Sequence, residues 1–333
     1  MDHRQLFRSK VKWISLFLSV LVVFIHSTNT AGIQPDRFAA HVETLISGNL
    51  ALAAVPAFFA MSAFLFYQNF DFSKLTEKYK SRFRSLLVPY LFWNAVYMVI
   101  FYFLSRLSFI NEQPFRFSFP LILDALLNQR FNMAYWFMQQ LILFTVFCPL
   151  IYTLMRNRYI AWITYALLLF AYGRGCSAAF YIDIKSLLFY LAGAYCGIHH
   201  RREITEANCF NRIPVAAFVL SQILFYSGLT AVNPVLGWLH TALLVVAFWG
   251  FGNLIANREL PLTLQCSFEI YTLHILILET FNKLFGFLLP RDSNWILLDY
   301  FLSPMLTVGI VVLITQFIRK TMPKFHKFAF GGR

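Results

Sequence analysis

His26 is the first residue whose type and setting could do chemistry, an imidazole closing the apolar run Trp13–Ile25. A neutral imidazole accepts a proton from a hydroxyl, the work of a general base. Residues 11 apart on a helix differ by about three turns, so Ser15 and His26 share a face. Lys12 and Ser19 fall on nearly the same line, giving an otherwise apolar rod one polar stripe. From Lys12 to His26 the helix rises about 21 Å. With Lys12 at the cytoplasmic surface, His26 lies past the midplane of a bilayer, in its outer half. The plainer alternative is an interfacial histidine that bonds to water.

A second constellation lies in 262–285, which holds Ser267, Glu269, Tyr271, His274, Glu279 and Lys283. Ionisable groups inside a bilayer are costly and point to function. Ser267, Tyr271 and His274 stack on one face, while Glu279 and Lys283 form an i,i+4 pair. Glu269 has no cationic partner on its own helix. It either serves the chemistry or caps and pairs with a basic loop residue. A third group, Lys74, Lys78, Lys80, Arg82 and Arg84, precedes Leu86-Leu87-Val88-Pro89. Such a cluster either fixes topology and touches anionic lipid or clamps phosphate through the bidentate donors of arginine.

The elements that must position these residues follow from composition. Of 333 residues, 59% are hydrophobic and 19% aromatic, and only 13% are charged, about half the usual share of ~25%. A soluble fold could not hide so much apolar surface. The net charge of +13 does not indicate a nucleic-acid binder, because the basic residues sit in short clusters between long apolar runs, as in polytopic membrane proteins. Disorder, a disulfide scaffold and a coiled coil are excluded on the same composition.

The fold class read from this is an all-α, polytopic membrane helix bundle with about ten transmembrane helices, and residues 1–333 are read as one transmembrane domain. Spanning about 30 Å of hydrocarbon takes about 20 apolar residues. The stretches 13–29, 49–68, 86–105, 133–155, 159–173, 180–197, 213–231, 235–256, 262–285 and 294–318 qualify as candidates, the fifth being short. Phe117–Leu127 is too short to span and reads as an amphipathic or re-entrant piece. With the N-terminus inside, the alternating loops and both tails place 20 of the 28 Lys and Arg residues on one side. Both termini are therefore expected in the cytoplasm. A signal peptide ending near Thr30–Ala31 is the weaker reading of the first segment, because nine more spans follow. Cys148, Cys176, Cys196, Cys209 and Cys266 are scattered, so no disulfide framework and no metal site is offered.

Several segments, taken in order, carry a resemblance. Leu18–Ser27 looks like a first span ending in a hallmark histidine. Pro56-Ala57-Phe58-Phe59-Ala60-Met61-Ser62-Ala63-Phe64-Leu65 is similar to a "P-x-F-F-x-x-S-G-F-L" second span. Tyr79–Asn94 follows a basic-loop-to-third-span signature. Tyr135-Trp136-Phe137 with Pro149-Leu150-Ile151-Tyr152 looks like a fourth span, and Ser267–His274 resembles "S-F-x-I-Y-x-x-H". Together they resemble the bacterial membrane-bound acyltransferase family often called acyltransferase 3. That family moves acyl groups, commonly acetyl from acetyl-CoA, to hydroxyls of extracytoplasmic carbohydrates such as O-antigen, capsule or exopolysaccharide. The resemblance implies that His26 is catalytic. Lys12, Ser15, Ser62, Arg82, Arg84, Asn94, Trp136, Glu269 and His274 are candidate substrate- or donor-binding positions, Glu269 and His274 by sequence only. Two departures stand out: Ser15 replaces the family's arginine 11 residues before the histidine, and Ala63 replaces a glycine. Lys12, near Ser15 on the same face, is a candidate to supply the missing charge.

The leading expectation is an O-acyltransferase of the bacterial inner membrane. It would use acyl-CoA as co-substrate, hold no permanent cofactor, and act on an extracytoplasmic glycan or lipid-linked sugar. A transporter or flippase of a lipid-linked sugar or small acid is the alternative. The prolines at 56, 89, 149 and 304 show no matched pattern of paired broken helices. A third reading is a family member that has lost activity, which Ser15 permits.

Overall fold

The computed structural model describes residues 2–28, 37–106, 115–179, 181–207, 211–288 and 293–332; Thr30–Ala31 and Cys209 lie outside them. The first part of the chain forms α1 (His3–Ile25), α2 (Arg37–Ile46), α3 (Ala54–Tyr67), α4 (Leu75–Arg82), α5 (Val88–Leu104), α6 (Phe119–Leu127) and α7 (Trp136–Val146). Next come α8 (Cys148–Arg156), α9 (Arg158–Gly173), α10 (Ile184–His199), α11 (Arg201–Glu206), α12 (Ile213–Tyr226) and α13 (Leu229–Val232). The last are α14 (Pro234–Phe251), α15 (Ser267–Leu288), α16 (Ser293–Thr321) and α17 (Pro323–Ala329). A two-residue antiparallel ribbon, Ala178–Ala179 with Ile182–Asp183, is the exception to an all-helical architecture among the described residues.

The helix α1 starts ten residues before the apolar run because its first turn is capped. The Asp2 carboxylate accepts from the Gln5 N–H at 2.7 Å, and the Gln5 side chain accepts from the Asp2 N–H at 3.1 Å, a reciprocal capping box. Asn157, Asp183 and Asn233 cap α9, α10 and α14 in the simpler one-sided way. Phe117–Leu127 does hold a short helix, α6, capped by the Ser118 hydroxyl.

The contacts divide the chain into two compact units, 1–72 with 147–313, and 73–146 with 314–333. In the first, α10 packs against α3 more closely than side chains allow. A Cβ on Gly193 would stand 2.1 Å from the Ala60 carbonyl oxygen, and one on Gly197 would stand 2.8 Å from that of Phe64. Gly193-Ala-Tyr-Cys-Gly197 is thus a G-x-x-x-G stripe used for close helix approach. At one end of this unit, Ser9 and Trp13 both donate to the Arg258 carbonyl, at 2.6 and 2.7 Å. Arg201 donates there to the Gln68 carbonyl and to the Asn69 side chain, and the His199 ring nitrogen Nε2 lies 2.9 Å from the Met155 carbonyl. In the second unit, Phe83–Leu87 widens into a π-turn between α4 and α5. Trp93 donates to the Ala329 carbonyl at 2.8 Å, and Gly331, at φ +73°, lies so close to Ser85 that a Cβ would meet its oxygen at 2.9 Å.

Helices occupy all ten stretches expected to span. Among the described residues, four of them are long and apolar enough to cross a membrane alone: Phe38–Tyr67, Phe72–Leu104, Pro234–Leu254 and Trp295–Thr321. The pair Met133–Val146 and Cys148–Arg156 makes a fifth if counted as one broken span. The other expected spans fall short for two physical reasons. Helices α9, α10 and α12 have 16, 16 and 14 residues, below the ~20 needed. Helix α1 carries Arg8, Lys10 and Lys12, and α15 carries Glu269, Glu279 and Lys283. The chain is an all-α membrane protein.

Candidate active site

The site is built where α1 meets α15. Ser19 is buried, and its hydroxyl lies 2.8 Å from the Ser15 carbonyl and 3.2 Å from that of Ser267, the first residue of α15. His26 follows Ser19 by seven residues, and His274 follows Ser267 by seven. Equal rises of about 10.5 Å on two helices bring the two histidines to one level. Their ring centroids are 5.3 Å apart, tilted by 46°.

The two rings have different surroundings. His26 caps the C-terminal end of α1, its backbone N–H bonding to the Val23 and Phe24 carbonyls, and its side chain is exposed. His274 has no exposed surface. Its Nδ1 lies 3.1 Å from the Ile270 carbonyl and 2.7 Å from the Tyr271 carbonyl. Carbonyl oxygens only accept, so Nδ1 carries the proton and Nε2 presents a lone pair. That Nε2 is buried and has no hydrogen-bond partner among the described residues. A buried acceptor without a partner is costly, and its neighbour is the imidazole of His26.

A polar shell that the apolar periodicity does not announce surrounds the end of α1. The Ser47 hydroxyl donates to the Phe24 carbonyl at 2.6 Å and meets the Tyr300 hydroxyl at 2.7 Å. The Tyr300 ring packs on Phe24 at 5.5 Å. Ser27 also donates to the Phe24 carbonyl, at 2.9 Å. Asp299 accepts from Ser303 within α16, and Glu43 is buried with one carboxylate oxygen unpartnered among the described residues. A carboxylate at 299, inside the apolar stretch 294–318, is the signal that could have pointed to this shell.

The remaining expected positions separate. Ser15 is half-buried, beside Ser19. Lys12 is exposed, and the cation of α1 that turns inward is Lys10, 1% exposed, its ammonium 4.0 Å from the Trp249 ring centre. Glu269 is buried but five residues from His274, about 140° around the helix, so it points away from the histidine pair. Ser62 is half-buried on α3, and Ala63 beside it is fully buried. Arg82, Arg84, Asn94 and Trp136 belong to the second unit. There Arg84 is exposed, Arg82 is half-buried, and Trp136 begins α7. The buried Asn94 amide donates to the Tyr90 carbonyl of its own helix at 2.8 Å.

Comparison with known proteins gives a consistent assignment. A family model described as an acyltransferase domain matches residues 11–316. The succinoglycan biosynthesis protein ExoH of Rhizobium meliloti (strain 1021) is 24% identical over 322 residues, an alignment covering 88% of this chain and 82% of that protein. No solved structure matches. Neither match supports the transporter reading.

Proposed function

Since the chain belongs to the acyltransferase-domain family, and is therefore a membrane acyltransferase, we propose that it moves an acyl group, acetyl in the simplest case, from acyl-CoA to a hydroxyl of an extracytoplasmic polysaccharide. The acceptor class rests on similarity to a protein of succinoglycan biosynthesis. The observation that carries the chemistry is the exposed His26 ring beside the buried, partner-free Nε2 of His274. His26 is the general base. In the reacting complex His274 Nε2 accepts the N–H of His26, which leaves the other His26 nitrogen with its lone pair toward the acceptor. His26 takes the hydroxyl proton as the acceptor oxygen bonds to the acyl carbon. The carbon–sulfur bond breaks, and the proton leaves with the thiolate as free CoA thiol. Positioned proton transfer of this kind is typically worth about 10²–10⁴-fold in rate.

Arg82 and Arg84, in the second unit, supply cations for the phosphates of the donor, since guanidinium matches phosphate in a bidentate manner. Ten spans with both termini in the cytoplasm of a bacterial inner membrane suit this direction of transfer, donor inside and acceptor outside. The charge asymmetry supports that topology. So does the gathering of Ser9, Asn69, Met155, Arg201 and Arg258 at one end of the first unit, because all five border segments expected inside. Reporter fusions after Gly48, Arg116 and Gly286 should read outside, and fusions after Arg84 and Arg202 inside.

The function is tested by deleting the gene and measuring both acyl content and amount of surface polysaccharide. Loss of acyl groups with normal amounts of polymer is the expected result. Normal acylation with blocked export would overturn the proposal in favour of a transporter.

A further inference from the structure

The first unit contains a cavity system on a different face of α1 from the histidine pair. An apolar slot of about 380 Å³ runs between α1, α3, α10 and α14, walled by residues such as Phe7, Ala60, Phe64, Phe189, Trp238 and Trp249. Along α14 it extends from Trp249 to Trp238, a rise of about 16 Å. Among the described residues that line it, the side-chain polar groups are the Tyr165 hydroxyl, the Cys196 thiol and the two indole N–H groups. Phe7 and Leu65 also line a second, polar cavity of about 1070 Å³, which holds Arg4, Arg8, Arg201 and Arg202. The slot therefore adjoins an arginine-lined mouth, with Phe7 and Leu65 at the boundary.

The acids in that mouth are largely committed. Asp2 caps α1, Glu206 pairs with Arg202 at 3.0 Å, and Glu203 lies 3.8 Å from His200. Arg4 and Arg8, one turn apart on α1, have no carboxylate partner among the described residues, and like charges at that spacing repel. Lys10, just beyond them, stands buried against Trp249, which lines the slot. With four arginines to three carboxylates, the mouth keeps an excess of positive charge next to a hydrocarbon-sized space.

We infer that this mouth and slot form a binding site for an anionic phospholipid of the leaflet facing the N-terminal end of α1, its phosphate among Arg4, Arg8 and Arg201 and one acyl chain in the slot. Two other amphiphiles with phosphate heads fit worse. The pantetheine arm of acyl-CoA carries two amides, which would be buried in a lining that offers few partners, at a large desolvation cost. A lipid-linked acceptor must bring its sugar to His26, but Arg8 and His26 stand about 27 Å apart along α1, nearly the thickness of the hydrocarbon core. A bilayer phospholipid has the right polarity at both ends and is present at the right depth.

The test uses the full chain, reconstituted in vesicles of equal phosphatidylglycerol and phosphatidylcholine, extracted in mild detergent and weighed by native mass spectrometry. The wild type should retain one phospholipid, with phosphatidylglycerol favoured at least fivefold. Arg4→Gln with Arg8→Gln, at exposed positions, should bring that preference to the bulk ratio. Ala242→Phe, which narrows the slot, should abolish retention while circular dichroism and elution match the wild type. Retention of both lipids in the bulk ratio by the wild type, or retention untouched by both variants, would overturn the inference. Release of the lipid by equimolar acyl-CoA would also overturn it, assigning the slot to the donor. Because the readout is bound lipid, none of these outcomes depends on acyl transfer.

Discussion

The rings of His26 and His274 lie 5.3 Å apart, yet His26 is exposed and His274 has no exposed surface. In the proposed mechanism this difference divides their parts: the exposed ring meets substrate, and the buried one, with its tautomer fixed by two backbone carbonyls, holds it in place. His274→Leu should lower kcat at least roughly tenfold while acceptor KM changes less than about twofold, the pattern of a lost transition-state interaction. His274→Gln retains an amide oxygen as acceptor and should recover part of that loss. Equal loss in both variants, or a change confined to KM, would remove His274 from this role.

The proposed donor clamp of Arg82 and Arg84 makes a separate prediction. A charge-assisted hydrogen bond contributes about 1.5–3 kcal/mol, and every 1.4 kcal/mol is about tenfold in affinity. Arg82→Gln with Arg84→Gln should therefore raise the apparent KM for acyl-CoA at least roughly tenfold. Topology should hold, because the other inner segments remain basic. Unchanged donor KM in correctly inserted protein would leave the cluster a topology signal only.

Packing is tested at Gly193. A side chain there must displace the Ala60 backbone, which a Cβ would approach to 2.1 Å. Overpacking of a well-filled interface costs typically about 1–3 kcal/mol or more. Gly193→Val should lower the Tm in detergent and reduce membrane abundance. Gly286→Ala, where a Cβ meets nothing within 4 Å, should do neither. Thermal unfolding of the two variants beside the wild type distinguishes these outcomes.

Much of this was legible in the residues. Apolar runs mark helices at all ten stretches, and the helical spacing of Ser267, Tyr271 and His274 puts these three on a shared face. The G-x-x-x-G of α10, Gly193 to Gly197, is also readable in the sequence. Other features depend on packing that one helix cannot encode. Lys10 turns inward rather than Lys12 because Trp249, on α14, offers its ring to that flank of α1. The shell of Ser47, Tyr300 and Phe24 joins three segments far apart in the chain, and no local period announces it. The division into two units has no mark in composition, since no linker separates them.

The central claim is that His26 moves the proton, and His26→Gln tests it most directly. Glutamine keeps a hydrogen-bonding side chain of similar size but cannot take a proton from a hydroxyl. The measurement is transfer of labelled acyl groups from acyl-CoA to the polysaccharide in membranes matched for protein abundance. The expected rate is about 10²–10⁴-fold below wild type, as low as that of His26→Ala. Near-wild-type transfer by the glutamine variant would show that His26 only positions a substrate, and would contradict the mechanism.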